Sequence, residues 1–193
     1  MTKNIYRALQ LAKDIHNWQT YWDNKDFVTE HLFEVARRSL DEYRCSTFYD
    51  PVGEEFVVIC ALLHDAIEDG PPWVYEYVYE IFGVQCARVL WLLASKYMDE
   101  SWNVVKKEKI SYYHSLWLDK IATLIKKQDR KLNHENILNI PSSKRRVDLT
   151  VKYLHANLER AWFDSSIELL VLDIKNILKE VLFMKSSPST IIL

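Results

Sequence analysis

Glycine is scarce in this chain, at 3 of 193 residues. A turn-rich β fold needs glycine at its reversals, so this shortage argues against one, and apolar content of 49% with 13% aromatics argues against disorder. Cysteine is also sparse. Cys45, Cys60 and Cys86 are odd in number and form no C-x-x-C, which excludes a disulfide framework and a cysteine zinc site and fits a reducing compartment. No apolar run approaches the ~18 residues of a membrane span, and the opening Met1-Thr2-Lys3-Asn4-Ile5-Tyr6 has no signal-peptide core, so a cytoplasmic protein with no membrane partner is expected. The formal charge of -2 offers nucleic acid no general attraction, so an anionic substrate must be met by a local basic cluster. There is no internal repeat, no low-complexity segment and no defensible strand.

What is present is helical periodicity. The length suits one core, so a single all-α helical bundle is predicted over 1–185, with 186–193 a frayed tail. Ile5, Ala8, Leu9, Ala12 and Ile15 mark a first helix that fades from His16, after which Trp18, Tyr21 and Trp22 are expected to cap the core. A polar turn at Asp23-Asn24-Lys25-Asp26 leads to a helix from Phe27 to Cys45, with Val28, His31, Leu32, Val35, Ala36 and Leu40 facing inward. His31 in that stripe suits either an ordinary core histidine or a ligand. Pro51 starts a third helix, predicted to continue to Gly70-Pro71-Pro72. Beyond it come helices over 73–82 and from Gly83 to about Lys96, a loop over 97–103, and a long helix over 104–128 with a break near Leu118. Asp129 falls at the C-terminal end of that helix, where the dipole opposes a carboxylate and a cation would relieve it. Two further helices are predicted, through Trp162 and to Met184.

The third helix carries the most informative stretch. After the apolar run Val57 to Leu63 come His64, Asp65, Glu68 and Asp69 within six residues. Read as one helix, Glu68 lies a turn above His64 and Asp69 a turn above Asp65, on a shared face. Burying so many polar groups beside an apolar run is costly unless a divalent cation and its waters pair them. Taken alone, His64-Asp65 suits a solvated helix end better than a ligand pair. The apolar approach and the second acidic pair shift the balance toward half of a metal site.

Four segments in order supply the rest by resemblance. His31-Leu32-Phe33-Glu34-Val35-Ala36 resembles an H-x-x-x-V-A helix, and Ala61 to Asp69 resembles A-L-L-H-D-x-x-E-D. Ile81-Phe82-Gly83 through Val89 to Ser95-Lys96 resembles F-G-x-x-V-A-x-x-V followed by T-K, and Leu124 to Asn133 resembles I-K-L-A-D-R-L-H-N. Together they are similar to the HD superfamily of metal-dependent phosphohydrolases, closest to the RelA/SpoT-type branch with its small alarmone hydrolases. The resemblance covers roughly residues 25–155. It departs from the pattern at Phe27 to Glu30, Leu32, Lys127-Gln128 and Leu149, positions of the nucleotide pocket and not of the metal centre.

The resemblance implies His31, His64, Asp65 and Asp129 as metal ligands. Two imidazoles and two carboxylates leave an octahedral ion open to water and substrate, which suits manganese(II), or iron, cobalt or magnesium, better than structural zinc. It implies Glu68 and Asp69 as the pair that orients the water and shuttles its proton in removing the 3′-pyrophosphate of guanosine tetra- or pentaphosphate. It implies Lys96 and Asn133 as phosphate or ribose contacts, Arg130 as a substrate contact or a structural ion-pair partner, and Tyr153 as a nucleoside contact or a core residue. Lys25 is a weaker phosphate candidate. A phosphatase or phosphodiesterase acting on another nucleotide, and a non-catalytic helical module, are the competing readings.

Overall fold

The computed structural model describes residues 1–21 and 24–137, with isolated positions 148, 149 and 179. The expectations for Trp22, Tyr153, the last two helices and the tail lie outside the described residues. By contact the chain divides into two compact units, Met1–Leu132 and Asn133–Leu193.

Helix α1, Lys3–His16, begins at Thr2, whose hydroxyl oxygen accepts from Ile5 N and donates to Glu55 at 2.6 Å. It buries Ala8, Leu11, Ala12, Ile15 and His16, and stops at His16 as predicted. A small antiparallel hairpin, β1 (Thr20–Tyr21) with β2 (Lys25–Asp26), then pairs Thr20 with Asp26 and Tyr21 with Lys25. Trp18 does not cap the core. It is 71% exposed, because the chain turns outward after α1 into this hairpin.

The second helix enters through a π-helical turn, Val28–Leu32, and continues as α2, Phe33–Arg44. Helix α3, Glu54–Leu62, follows the turn Pro51–Gly53, where Asp50 accepts from Val52 N at 3.1 Å. Its residues Val57, Ile59, Cys60, Ala61 and Leu62 are all buried, as befits a helix apolar on every side. Helices α1 and α2 both pack on it. It is the centre of the core.

The predicted continuous helix through Asp69 is broken. At Leu63 to Asp65 the backbone tightens: His64 N reaches Ala61 O and Ala66 N reaches Leu63 O, both three residues back. Leu63 (φ -104°, ψ 11°) and Asp65 (φ -98°, ψ -1°) lie in the bridge region. Helix α4, Ala66–Asp69, resumes and ends at Gly70. A Cβ there would sit 2.4 Å from Ala66 O and 2.8 Å from Val74 Cγ2, so the close approach of α4 to α5 requires glycine.

Helices α5 (Val74–Phe82) and α6 (Val84–Leu93) pack on each other across Gly83, whose φ of 86° makes the reversal. The loop predicted after them, and the helix start predicted at Val104, are instead an antiparallel hairpin. Strand β3 (Lys96–Met98) pairs with β4 (Val104–Lys106), with Tyr97 opposite Val105. Helix α7, Lys109–Trp117, is separated by the expected break from α8, Lys120–Ile137, which Asp119 caps through Ile121 N and Ala122 N. Asp129 therefore lies inside α8 and not at a helix end, because the helix carries on past the basic pair Lys126-Lys127.

Candidate metal centre

The broken helix puts His64 in a turn, fully enclosed, with its Nδ1 2.8 Å from Ala61 O. A carbonyl only accepts, so Nδ1 carries a proton and Nε2 is the nitrogen turned to the site. Nε2 lies 3.2 Å from Asp65 Oδ2 and 3.8 Å from Asp129 Oδ1. His31 comes from the π-helical turn and is also buried. Its Nε2 lies 3.6 Å from Asp65 Oδ2 and 3.5 Å from Asp129 Oδ1. Tyr21, Phe27 and His64 surround its ring, with centroids at 4.8, 4.9 and 5.1 Å. The π turn and the first hairpin together aim this imidazole.

His31, His64 and Asp65 form a group that could hold a metal ion. Asp129 Oδ1 faces the same two nitrogens. The fit can be judged on His64 Nε2, which is buried and makes no hydrogen bond although a carboxylate oxygen stands 3.2 Å away. A neutral imidazole lone pair against a carboxylate is repulsive, and a cation between them removes the conflict. Without an ion the proton has to serve. Burial alone pushes the His64 imidazole down, but Asp65, with Asp129, outweighs this and holds it up at about 10. Asp65 and Asp129 are both held below the ordinary carboxylate range against the effect of burial, Asp65 by His64 foremost and Asp129 by Lys126. The donor set fits a divalent ion. His31 Nδ1, by contrast, is buried without a hydrogen-bond partner, so on that side its ring is held by packing.

The single helix expected to carry Glu68 and Asp69 with His64 and Asp65 is interrupted at Leu63 to Asp65, and both acids find partners on other parts of the chain. Glu68 Oε1 accepts from Ser95 N at 2.6 Å and from Ser95 Oγ at 2.8 Å. Asp69 Oδ2 accepts from Gln19 Nε2 at 3.0 Å, and its Oδ1 lies 3.4 Å from Lys96 Nζ. Lys96 is thereby brought beside the acidic pair. Lys25 lies exposed on β2 with Glu30 at 3.9 Å. Arg130 is half-buried on α8, next to Asp129, and Asn133 opens the second compact unit.

Four contributors were not anticipated. Lys126 Nζ stands 2.9 Å from Asp129 Oδ2 with both side chains buried, yet a lysine in a basic pair reads as solvated. Ser95 anchors Glu68, and its place beside Lys96 in the T-K-like pair was the available signal. His16 and Gln19 approach from α1 and the chain after it. The two departures from the family pattern just before Asp129 have a structural use. Lys127 pairs with Glu42 Oε1 at 2.9 Å and Gln128 donates to Glu42 Oε2, tying α8 to α2.

The sequence matches no family model and no curated protein. Among solved structures it is similar to a metazoan ortholog of SpoT, described as hydrolysing ppGpp and playing a role in starvation responses. The identity is 22%, the TM-score 0.63, and the match covers 93% of this chain and 96% of that one. At this identity the likeness speaks to architecture alone, and with the elements above it gives the chain an all-α helical fold.

Proposed function

We propose that this chain is a metal-dependent phosphohydrolase acting on a phosphorylated nucleotide, with guanosine tetra- or pentaphosphate as the leading substrate and its 3′-pyrophosphate as the leaving group. The observation that carries this reading is the convergence of two buried imidazole nitrogens on Asp65 and Asp129. Its support for the substrate is the resemblance of four segments to the alarmone hydrolases, together with the similar structure that hydrolyses ppGpp.

His31, His64, Asp65 and Asp129 would hold the ion, manganese(II) or a similar one. Such an ion supplies a Lewis acid and an acidified water. Glu68 has both of its bonds from Ser95 on Oε1, which leaves Oε2 as the oxygen that takes up a proton from the attacking water and later releases it. Asp69 orients the same region and holds Lys96, whose ammonium meets phosphate and offsets the field of the acids. Arg130, Asn133, Tyr153 and, more weakly, Lys25 are the further substrate contacts in this reading.

The test is a substrate panel with the full chain and manganese: guanosine tetraphosphate, its adenine analogue, a 2′-phosphorylated dinucleotide and a nucleoside monophosphate. Pyrophosphate released from guanosine tetraphosphate, and lost in Asp65→Ala, is the expected result. Phosphate released only from another member of the panel moves the chain to a different phosphohydrolase activity. Metal binding with no turnover of any member leaves a non-catalytic module.

A further inference from the structure

Gln19 bridges α1 and the acidic pair. Its Nε2 donates to Asp69 Oδ2 at 3.0 Å, and its Oε1 lies 2.9 Å from His16 Nδ1. Chemistry sets the direction of this chain. An ionised carboxylate only accepts, so the amide nitrogen must face Asp69, the amide oxygen must face His16, and His16 must carry its proton on Nδ1. The reversed amide would put a carbonyl oxygen against the carboxylate.

His16 is suited to that single role. It is 1% exposed and its Nε2 has no hydrogen-bond partner. An imidazolium would bury an unpaired N–H at Nε2, so the neutral form protonated on Nδ1 is the one that fits. Burial also pushes this imidazole below its ordinary value. The ring is fixed by Phe27, 5.0 Å away, which packs in turn on His31.

We propose that His16 and Gln19 are positioning residues for Asp69: His16 locks the Gln19 amide in one orientation, and Gln19 sets the plane of the Asp69 carboxylate so that Oδ1 faces Lys96. This rests on the reading of Asp69 and Lys96 as parts of a phosphohydrolase site. With the His16 donor removed, the Gln19 amide is free to turn over, and Asp69 loses the donor that holds Oδ2.

The comparison that tests this is His16→Ala against His16→Asn, because an asparagine amide nitrogen takes the place of imidazole Nδ1. In the metal-free full chain, the Gln19 side-chain amide, assigned by Gln19→Ala, should give two resolved, slowly exchanging proton signals by NMR. These should be lost in His16→Ala and retained in His16→Asn. In turnover, His16→Ala should lower kcat/KM about 10-fold, the low end for an outer-sphere partner, and His16→Asn should recover most of it. In an Asp69→Asn background, His16→Ala should cost nothing further. His16→Asn as impaired as His16→Ala by both measures, or a His16→Ala loss undiminished in the Asp69→Asn background, overturns the proposal. If the Gln19 signals behave as expected while Asp69→Asn keeps full turnover, the relay stands and the role given to Asp69 in hydrolysis falls.

Discussion

Lys126 Nζ lies 2.9 Å from Asp129 Oδ2, three residues apart on α8, with both side chains enclosed. Burial on its own would push this ammonium down, but Asp129 holds it above the ordinary lysine value. Removing one member of a buried pair strands the other charge, at about 3–5 kcal/mol. Lys126→Met should therefore lower the Tm of the metal-free protein sharply. Manganese should raise Tm more in the variant than in the wild type, because the ion is then the main counter-charge of Asp129. Equal Tm values for both proteins without metal would show that Lys126 does not hold Asp129.

Metal binding should expel a proton. His64 has a folded-state value of about 10 without metal, above its ordinary value of 6.5. Its contribution to metal-free stability is thus complete below pH 6.5 and is lost as pH rises through about 10. An ion needs the neutral imidazole, so between those limits the apparent affinity should rise about tenfold per pH unit. Calorimetry at pH 7.5 in buffers of different ionisation enthalpy should report about one proton released per ion. Zero protons would mean that His64 is already neutral, or does not bind.

Glu68→Gln should keep the bound metal and lose roughly 10²–10⁴-fold in kcat, the size of a general acid–base contribution. Ser95→Ala should reproduce a small part of that loss, since it removes the 2.8 Å hydroxyl bond and leaves the 2.6 Å backbone bond. Metal content measured beside turnover decides the matter. Loss of the ion in Glu68→Gln would make Glu68 a ligand.

Lys96→Ala should raise KM more than it lowers kcat, as loss of uniform binding does, with a defect that shrinks for substrates carrying fewer phosphates. Lys96 is paired with Asp69 and still partly exposed, so it can reach an incoming anion. An equal loss across substrates of different phosphate number would place Lys96 in the fold or the chemical step.

His31, His64, Asp65 and Asp129 were legible because a resemblance reads residue type and order, and those survive wherever the backbone goes. Direction was not. The turn at Leu63 to Asp65 has no glycine or proline to announce it, and the partners that Glu68 and Asp69 find beyond it, Ser95, Gln19 and Lys96, follow from no local pattern. Strands β3 and β4 have three residues each, too few for an alternating pattern, and they exist through pairing with each other. Lys126 was passed over because burial of a lysine follows from the packing of α8, which no local pattern records. His16 stood just past the apolar stripe of α1 and read as the end of a helix.

The four proposed ligands come from a π turn near the start, a turn in the middle and the interior of α8, so the centre joins residues as far apart in sequence as His31 and Asp129. Closing contacts of such long separation costs chain entropy before they repay it, and we expect this site to close only once the helices have formed and docked. A site completed after the folding barrier cannot speed the crossing of it. In stopped-flow experiments, bound metal should then slow the unfolding limb and leave the refolding limb unchanged, so that the ion acts as a clasp on a finished molecule and not as a nucleus for making one.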